Sequence, residues 1–172
     1  PVDLCRRAQR GCHMLSTPDL SDLNPRAQML PFQFRSFGRA SAFCGQIATI
    51  RCFEDNSKVK EAVSEPGCGR VLLIDGGGAL AKALTGDLVA KQAMDNGWAG
   101  MVIIGSARDV EVINTFDFGV KALGVSPIKT EKLGVGERGV TLTFEGVDVR
   151  DGDYLAADEN GVLVLDGPFT ET

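Results

Sequence analysis

The sequence predicts a single-domain α/β protein, and three observations lead there. Between residues 44 and 125, apolar strand-like runs alternate with segments of helix formers. Arg70-Val71-Leu72-Leu73-Ile74-Asp75 is apolar throughout its middle, as in a strand covered on both faces. From Val140 onward, short β-prone runs are separated by turn signals. At 172 residues the chain has the length of one domain, enough to bury about two-thirds of the surface that its unfolded form exposes. No repeat, low-complexity tract or linker divides it.

The elements follow in order. Pro18, Pro25 and Pro31 interrupt the first forty residues, so a short helix with Ser16-Thr17 and Ser21-Asp22 as candidate caps precedes an irregular stretch. Gln46–Cys52 alternates around β-formers and reads as a strand; Asp55-Asn56 then caps a helix over Ser57–Ser64 that stops at the Pro66-Gly67 turn. The buried strand at 70–75 ends in Gly76-Gly77-Gly78. Ala79–Leu84 and Asp87–Asn96 carry helix formers, the second closed by Gly97. Met101–Ile104 is the next strand, ended by Gly105, and Asp109–Asn114 a short helix. Val120–Val125, Val140–Phe144, Val147–Val149, Tyr154–Ala157 and Val162–Leu165 are strands, the last four joined through Glu145-Gly146, Asp151-Gly152-Asp153 and Glu159-Asn160-Gly161.

Charge and composition exclude several functions. The net charge is −5, and no Lys/Arg stripe with interleaved aromatics offsets it, which argues against direct binding to nucleic acid. No stretch approaches the ~18 uninterrupted apolar residues of a membrane helix. An anionic small substrate stays open, because a few converging donors can invert the potential inside a cleft. The cysteines Cys5, Cys12, Cys44, Cys52 and Cys68 contain no CxxC pair, and His13 alone cannot complete a Cys/His metal set, so they read as reduced thiols. With no charged-then-apolar leader, the expectation is a cytoplasmic protein; a start at Pro1 rather than Met leaves an organelle address open.

Gly76-Gly77-Gly78-Ala79-Leu80-Ala81 formally satisfies G-x-G-x-x-G/A after a strand. A dinucleotide site also needs an acidic residue ending the next strand, where Ile104 gives way to Gly105-Ser106-Ala107. Glycines in a tight turn against a neighbouring strand explain the loop at least as well.

Asp87, Arg108 and Asp109 stand apart. Asp87 opens a helix and Arg108-Asp109 follows the next strand, so strand ends and helix starts can bring them to one rim. Arg108 offers the planar fork that holds a carboxylate by two bonds, and Asp109 is a hard oxygen ligand suited to Mg²⁺ or Mn²⁺. The N–H groups of Leu88 and Val89, in the first helical turn, would point at an anion. On spacing alone, the plainer reading stands ahead: an exposed charged pair and an N-cap.

Separated blocks of the chain resemble a known family. They are Cys52-Phe53-Glu54-Asp55-Asn56, Val71 through Gly78, Gly86-Asp87-Leu88, Asn96-Gly97-Trp98-Ala99-Gly100, Gly105-Ser106-Ala107-Arg108-Asp109, Gly152-Asp153 and Asp158-Glu159-Asn160-Gly161. From Phe37 to the C-terminus the chain is similar to the family of regulator of ribonuclease activity A (RraA) and the class II 4-hydroxy-4-methyl-2-oxoglutarate/4-carboxy-4-hydroxy-2-oxoadipate aldolases. Asp87, twenty intervening residues and Arg108-Asp109 reproduce the aldolase spacing.

The resemblance implies a swivelling β/β/α fold with a central barrel-like core over 37–172, behind an N-terminal helix and irregular segment at 1–36. It also implies trimers or hexamers with sites at subunit interfaces. It implies a divalent-metal-dependent aldolase for small 2-oxo acids, with oxaloacetate decarboxylation at the same site. The implied roles are carboxylate binding by the Leu88 and Val89 amides, substrate binding and charge stabilisation by Arg108, metal ligation by Asp109, and acid/base or water-holding work by Asp87. A Schiff-base route would need a lysine beside this set; none sits there in sequence, and Lys82 reads as lying on a solvated helix face. The alternative is a non-catalytic regulator of a ribonuclease or helicase partner. An older methyltransferase label in the family finds little support in the glycine loop. The stretch Asn24–Phe37 departs from the family pattern.

Overall fold

The computed structural model describes Cys5 and residues 15–172. Expectations for Cys12 and His13 fall outside the described residues. A helix α1 (Thr17–Leu23) opens the described chain, with the Ser16 hydroxyl accepting from the Asp19 N–H and Pro18 in the first turn. The strands β1 (Gln28–Met29), β2 (Arg35–Phe37) and β3 (Phe43–Arg51) follow, then α2 (Ser57–Val63), β4 (Val71–Asp75), β5 (Ala83–Thr85) and α3 (Asp87–Asp95). Next come β6 (Gly100–Ala107), α4 (Val110–Ile113) and β7 (Val120–Val125), and then β8 (Glu137–Arg138), β9 (Leu142–Phe144), β10 (Val147–Val149), β11 (Tyr154–Asp158) and β12 (Gly161–Leu165).

One sheet runs in the order β1-β12-β11-β3-β4-β6-β7-β2, with β5 beside β6 and β8 beside β3; β9 and β10 form a separate hairpin. The centre, β3-β4-β6-β7, is parallel, and the flanks are antiparallel. Alternation along the central strands divides two cores. Leu72, Ile74, Met101 and Ile103 face Val59, Ala62, Ala90, Ala93 and Trp98 in the helical layer. Val71, Leu73, Val102 and Ile104 point to the other side, where they meet Leu142, Phe144, Val149, Leu155 and Val164. A sheet whose two faces are both covered explains the near-continuous apolar runs. The result is the swivelling β/β/α arrangement with a curled, barrel-like sheet.

Three local expectations are corrected. Residues 79–82 form no helix, and the following three extend as β5, because Ala83 N–H donates to the Ile128 carbonyl (2.8 Å) and β5 pairs in parallel with β6. Gly105 does not end its strand: β6 continues to Ala107, since β5 and β7 supply partners on both sides. The thiols are not all reduced. Cys5 and Cys68 are disulfide-bonded and Cys44 is in a disulfide as well, whereas Cys52 is free and buried. Cys5 and Cys68 lie 63 residues apart, a pairing that no local cysteine spacing announces.

Candidate active site

Parallel pairing of β5 with β6 builds the site. Thr85 is opposite Ala107, and the Arg108 N–H donates to the Thr85 carbonyl (2.9 Å). The residues after each strand, Gly86-Asp87 and Arg108-Asp109, therefore emerge at one rim. The two groups are twenty residues apart in sequence because one helix and one strand return the chain to the same level. Asp109 adopts φ 55°, ψ 35°, a left-handed conformation that Asp tolerates better than most residues. Its carbonyl accepts from the Val112 and Ile113 N–H groups. Asp109 Oδ2 lies 3.6 Å from Arg108 Nε, both side chains being 38% exposed, and Arg108 Nη1 donates to the Pro127 carbonyl at 3.4 Å.

Gly86 makes this approach possible. A Cβ there would lie 2.8 Å from Asp109 Oδ2 and 3.4 Å from Arg108 Cγ. The first backbone bond of α3 runs from Ala90 N–H to the Gly86 carbonyl, so the N–H groups of Asp87, Leu88 and Val89 lie outside the helix ladder at its positive end. The Leu88 side chain is exposed and that of Val89 is buried.

All five residues singled out in the sequence, Asp87, Leu88, Val89, Arg108 and Asp109, line one cleft of about 180 Å³. Sequence reasoning missed the rest of its wall: Asn56, Lys60, Ala83, Gly86, Lys129 and Lys132. Asn56 is buried and its Oδ1 has no hydrogen-bond partner among the described residues, which leaves an acceptor whose desolvation none of them offsets. The lysines correct the expectation that none lies near: three of them reach the cleft from α2 and from the loop after β7. Lys82 sits in the irregular stretch before β5, paired with Glu131 (3.4 Å) and Glu54 (3.8 Å). Four cationic side chains against Asp87 and Asp109 make the cleft positive within an acidic protein. The block Glu54-Asp55-Asn56 was the available signal for Asn56; nothing in sequence spacing pointed to Lys129 or Lys132.

The glycine loop offers no phosphate cradle. Gly76 and Gly78 N–H both donate to the Ile104 carbonyl (3.1 Å each), Ala79 N–H to the Gly76 carbonyl and Gly77 N–H to Asp75 Oδ1. Its amides are committed to the turn, and no helix follows. Near it, Cys52 is held as a neutral thiol: burial, then the charges of Asp55 and Asp75, push it up to about 12.

Fold and rim together define an α/β protein of the swivelling β/β/α type with a positively charged cleft where parallel strands end. The chain belongs to the RraA-like family (Aldolase/RraA), whose model matches residues 17–164. It is 51% identical over 154 residues, 89% of this chain and 94% of the relative, to a Pseudomonas fluorescens (strain SBW25) protein provisionally named 4-hydroxy-4-methyl-2-oxoglutarate aldolase. The RNA-processing inhibitor RraA from Thermus thermophilis superimposes with a TM-score of 0.88 at 43% identity, covering 92% of this chain and 97% of that one. A Geobacillus kaustophilus HTA426 structure described as S-adenosylmethionine:2-dimethylmenaquinone methyltransferase superimposes at 0.84 with 41% identity, covering 88% and 95%.

Proposed function

We propose that this protein is a divalent-metal-dependent aldolase for small 2-oxo acids, cleaving substrates of the 4-hydroxy-4-methyl-2-oxoglutarate type to pyruvate and decarboxylating oxaloacetate. The observation that carries the reading is the shared rim: unladdered Leu88 and Val89 amides, Arg108 and Asp109 around one positive cleft. The provisional aldolase name of a relative about half identical supports it.

The donor set fits Mg²⁺ or Mn²⁺. Asp109 would supply a hard carboxylate oxygen, and the unpartnered Asn56 Oδ1 lies in the wall of the same cleft, oxygen donors of the kind these ions take. A bound ion supplies Lewis-acid polarisation of the 2-oxo group. The chain's own residues do the remainder. The Leu88 and Val89 amides hold the carboxylate at the helix end. Arg108 donates to the 2-oxo oxygen and stabilises the negative charge that grows there as the carbon–carbon bond breaks. Asp87 holds the water or proton that meets the resulting pyruvate enolate, and the lysines neutralise the rest of a multiply charged substrate. Both reactions pass through that enolate. We further propose trimers or hexamers, in which Leu88, Leu133 and Val135, exposed here, are covered by a neighbour. Light scattering showing only monomers at micromolar concentration would remove that part.

The test is pyruvate release from 4-hydroxy-4-methyl-2-oxoglutarate and from oxaloacetate with Mg²⁺ or Mn²⁺, with EDTA, and with Asp109→Asn. Expected is metal-dependent release that falls at least about 10³-fold in the variant, as for loss of a group acting on developing charge. Borohydride with pyruvate should leave no adduct on Lys60, Lys129 or Lys132; an adduct would assign a Schiff-base route instead. Absence of release above the metal-only background sinks the enzyme. It would favour the second reading, a regulator of a ribonuclease or helicase partner, which the likeness to the RNA-processing inhibitor supports.

A further inference from the structure

Asp55 lies between β3 and α2, outside the cleft, and is 2% exposed despite its charge. Its two oxygens face different segments: Oδ1 accepts the Ser57 N–H (2.8 Å) and Oδ2 accepts the Leu133 N–H (2.6 Å). Burial alone would raise its carboxyl, but these amides, with that of Val135 and the Ser57 hydroxyl, outweigh it and hold the carboxyl below the usual range. Two further bonds run in parallel: Glu131 N–H to the Glu54 carbonyl (3.1 Å) and Gly134 N–H to Ser57 Oγ (3.0 Å). Residues 131–135 are thus strapped to residues 54–57 by polar contacts. Little apolar packing helps within the chain, because Leu133 and Val135 are 73% and 57% exposed. Lys132 sits inside that strap and reaches the cleft.

We infer that Asp55 is a positioning residue that fixes the 131–135 strap and so aims Lys132 at an anionic substrate in the cleft. The inference rests on the 2-oxo acid reading for the identity of that substrate. A lysine on a flexible four-carbon stem neutralises charge usefully only if its own backbone is fixed. An asparagine at position 55 keeps one acceptor oxygen and turns an N–H₂ toward the other amide, so it can serve one segment but not both.

Hydrogen exchange and ligand affinity test this together. In Asp55→Asn, amide exchange at 131–135 should quicken about tenfold, the scale of one lost hydrogen bond, while exchange in β4 stays unchanged. KM for 4-hydroxy-4-methyl-2-oxoglutarate, and the Kd of oxalate measured calorimetrically with Mn²⁺, should rise about tenfold with kcat within about twofold, as for lost uniform binding. In a Lys132→Ala background the same substitution should add less than about twofold, because both act through one side chain. Ser57→Ala, milder, should move exchange and affinity in the same direction and serves if Asp55→Asn does not fold. Unchanged exchange, faster exchange with unchanged affinity, or effects that add to those of Lys132→Ala each overturn the inference. Normal turnover with a silent Asp55→Asn leaves the aldolase standing without it. Oxalate binding that depends on Asp55, in a protein releasing no pyruvate, leaves the strap standing without the aldolase.

Discussion

Gly86 shows how much of the rim depends on an atom that is missing. Its φ of −119° is open to any residue, so backbone strain does not select glycine; the selection is the 2.8 Å approach that a Cβ would make to Asp109 Oδ2. Gly86→Ala should leave the melting temperature within about 2 °C, since the displaced groups are half-exposed. Pyruvate release should nevertheless fall about a hundredfold, because a displacement near 1 Å at reacting groups has that effect. Parallel thermal melts and initial rates check both halves; a large loss of stability with normal turnover of the folded fraction would reject the argument.

Where β3, β6 and the start of β7 meet, packing is decided by a ring held between two glycines. A Cβ at Gly100 would enter the edge of the Phe43 ring from one side, and a Cβ at Gly119 would enter it from the other. Phe43 is buried in the barrel-side core, and its ring cannot retreat from one position without striking the other. Gly100→Ala should therefore cost about 2 kcal/mol through overpacking, read as a fall of roughly 4–8 °C for a chain of this length. The helical layer has its own lock. Arg138 on β8 donates both Nη groups to Glu65 (2.8 Å each) and Nη1 to Glu61 (3.1 Å), clamping the strand to the end of α2; the Arg138 hydrogen bonds hold both carboxyls below their usual range.

At the scale of the whole molecule, Cys52 makes stability depend on alkaline pH. The folded chain keeps the thiol protonated until about 12, whereas the unfolded chain releases that proton near the ordinary 9. Between those values the folded state binds more protons, so stability falls as pH rises through the window and is indifferent to this group below it. The slope is at most about 1.4 kcal/mol per pH unit. Urea midpoints at pH 8 and 10.5 should converge for wild type and Cys52→Ala as pH rises; a constant gap would show that the thiol plays no part. No described helix is long and apolar enough to cross a membrane.

The sequence by itself determined the class of the fold, and its resemblance to a family singled out five residues that line one cleft. Apolar runs at 71–74 and 101–104 are legible because a strand covered on both faces disfavours polar residues. Asp87, Arg108 and Asp109 are legible because they match the spacing of a known family, Asp87, twenty residues and Arg108-Asp109; without that resemblance they read as an exposed charged pair and an N-cap. Tertiary structure decided the rest. Residues 79–84 have helix-forming composition, yet β6 beyond Ile104 offers an edge that β4 leaves free and Ile128 an acceptor, and paired backbone outweighs weak local propensity. Asn56, Lys129 and Lys132 reach the cleft from segments with no mutual spacing, and the Cys5–Cys68 disulfide joins residues 63 apart. Such contacts arise from chain closure, which leaves no period in the sequence to read.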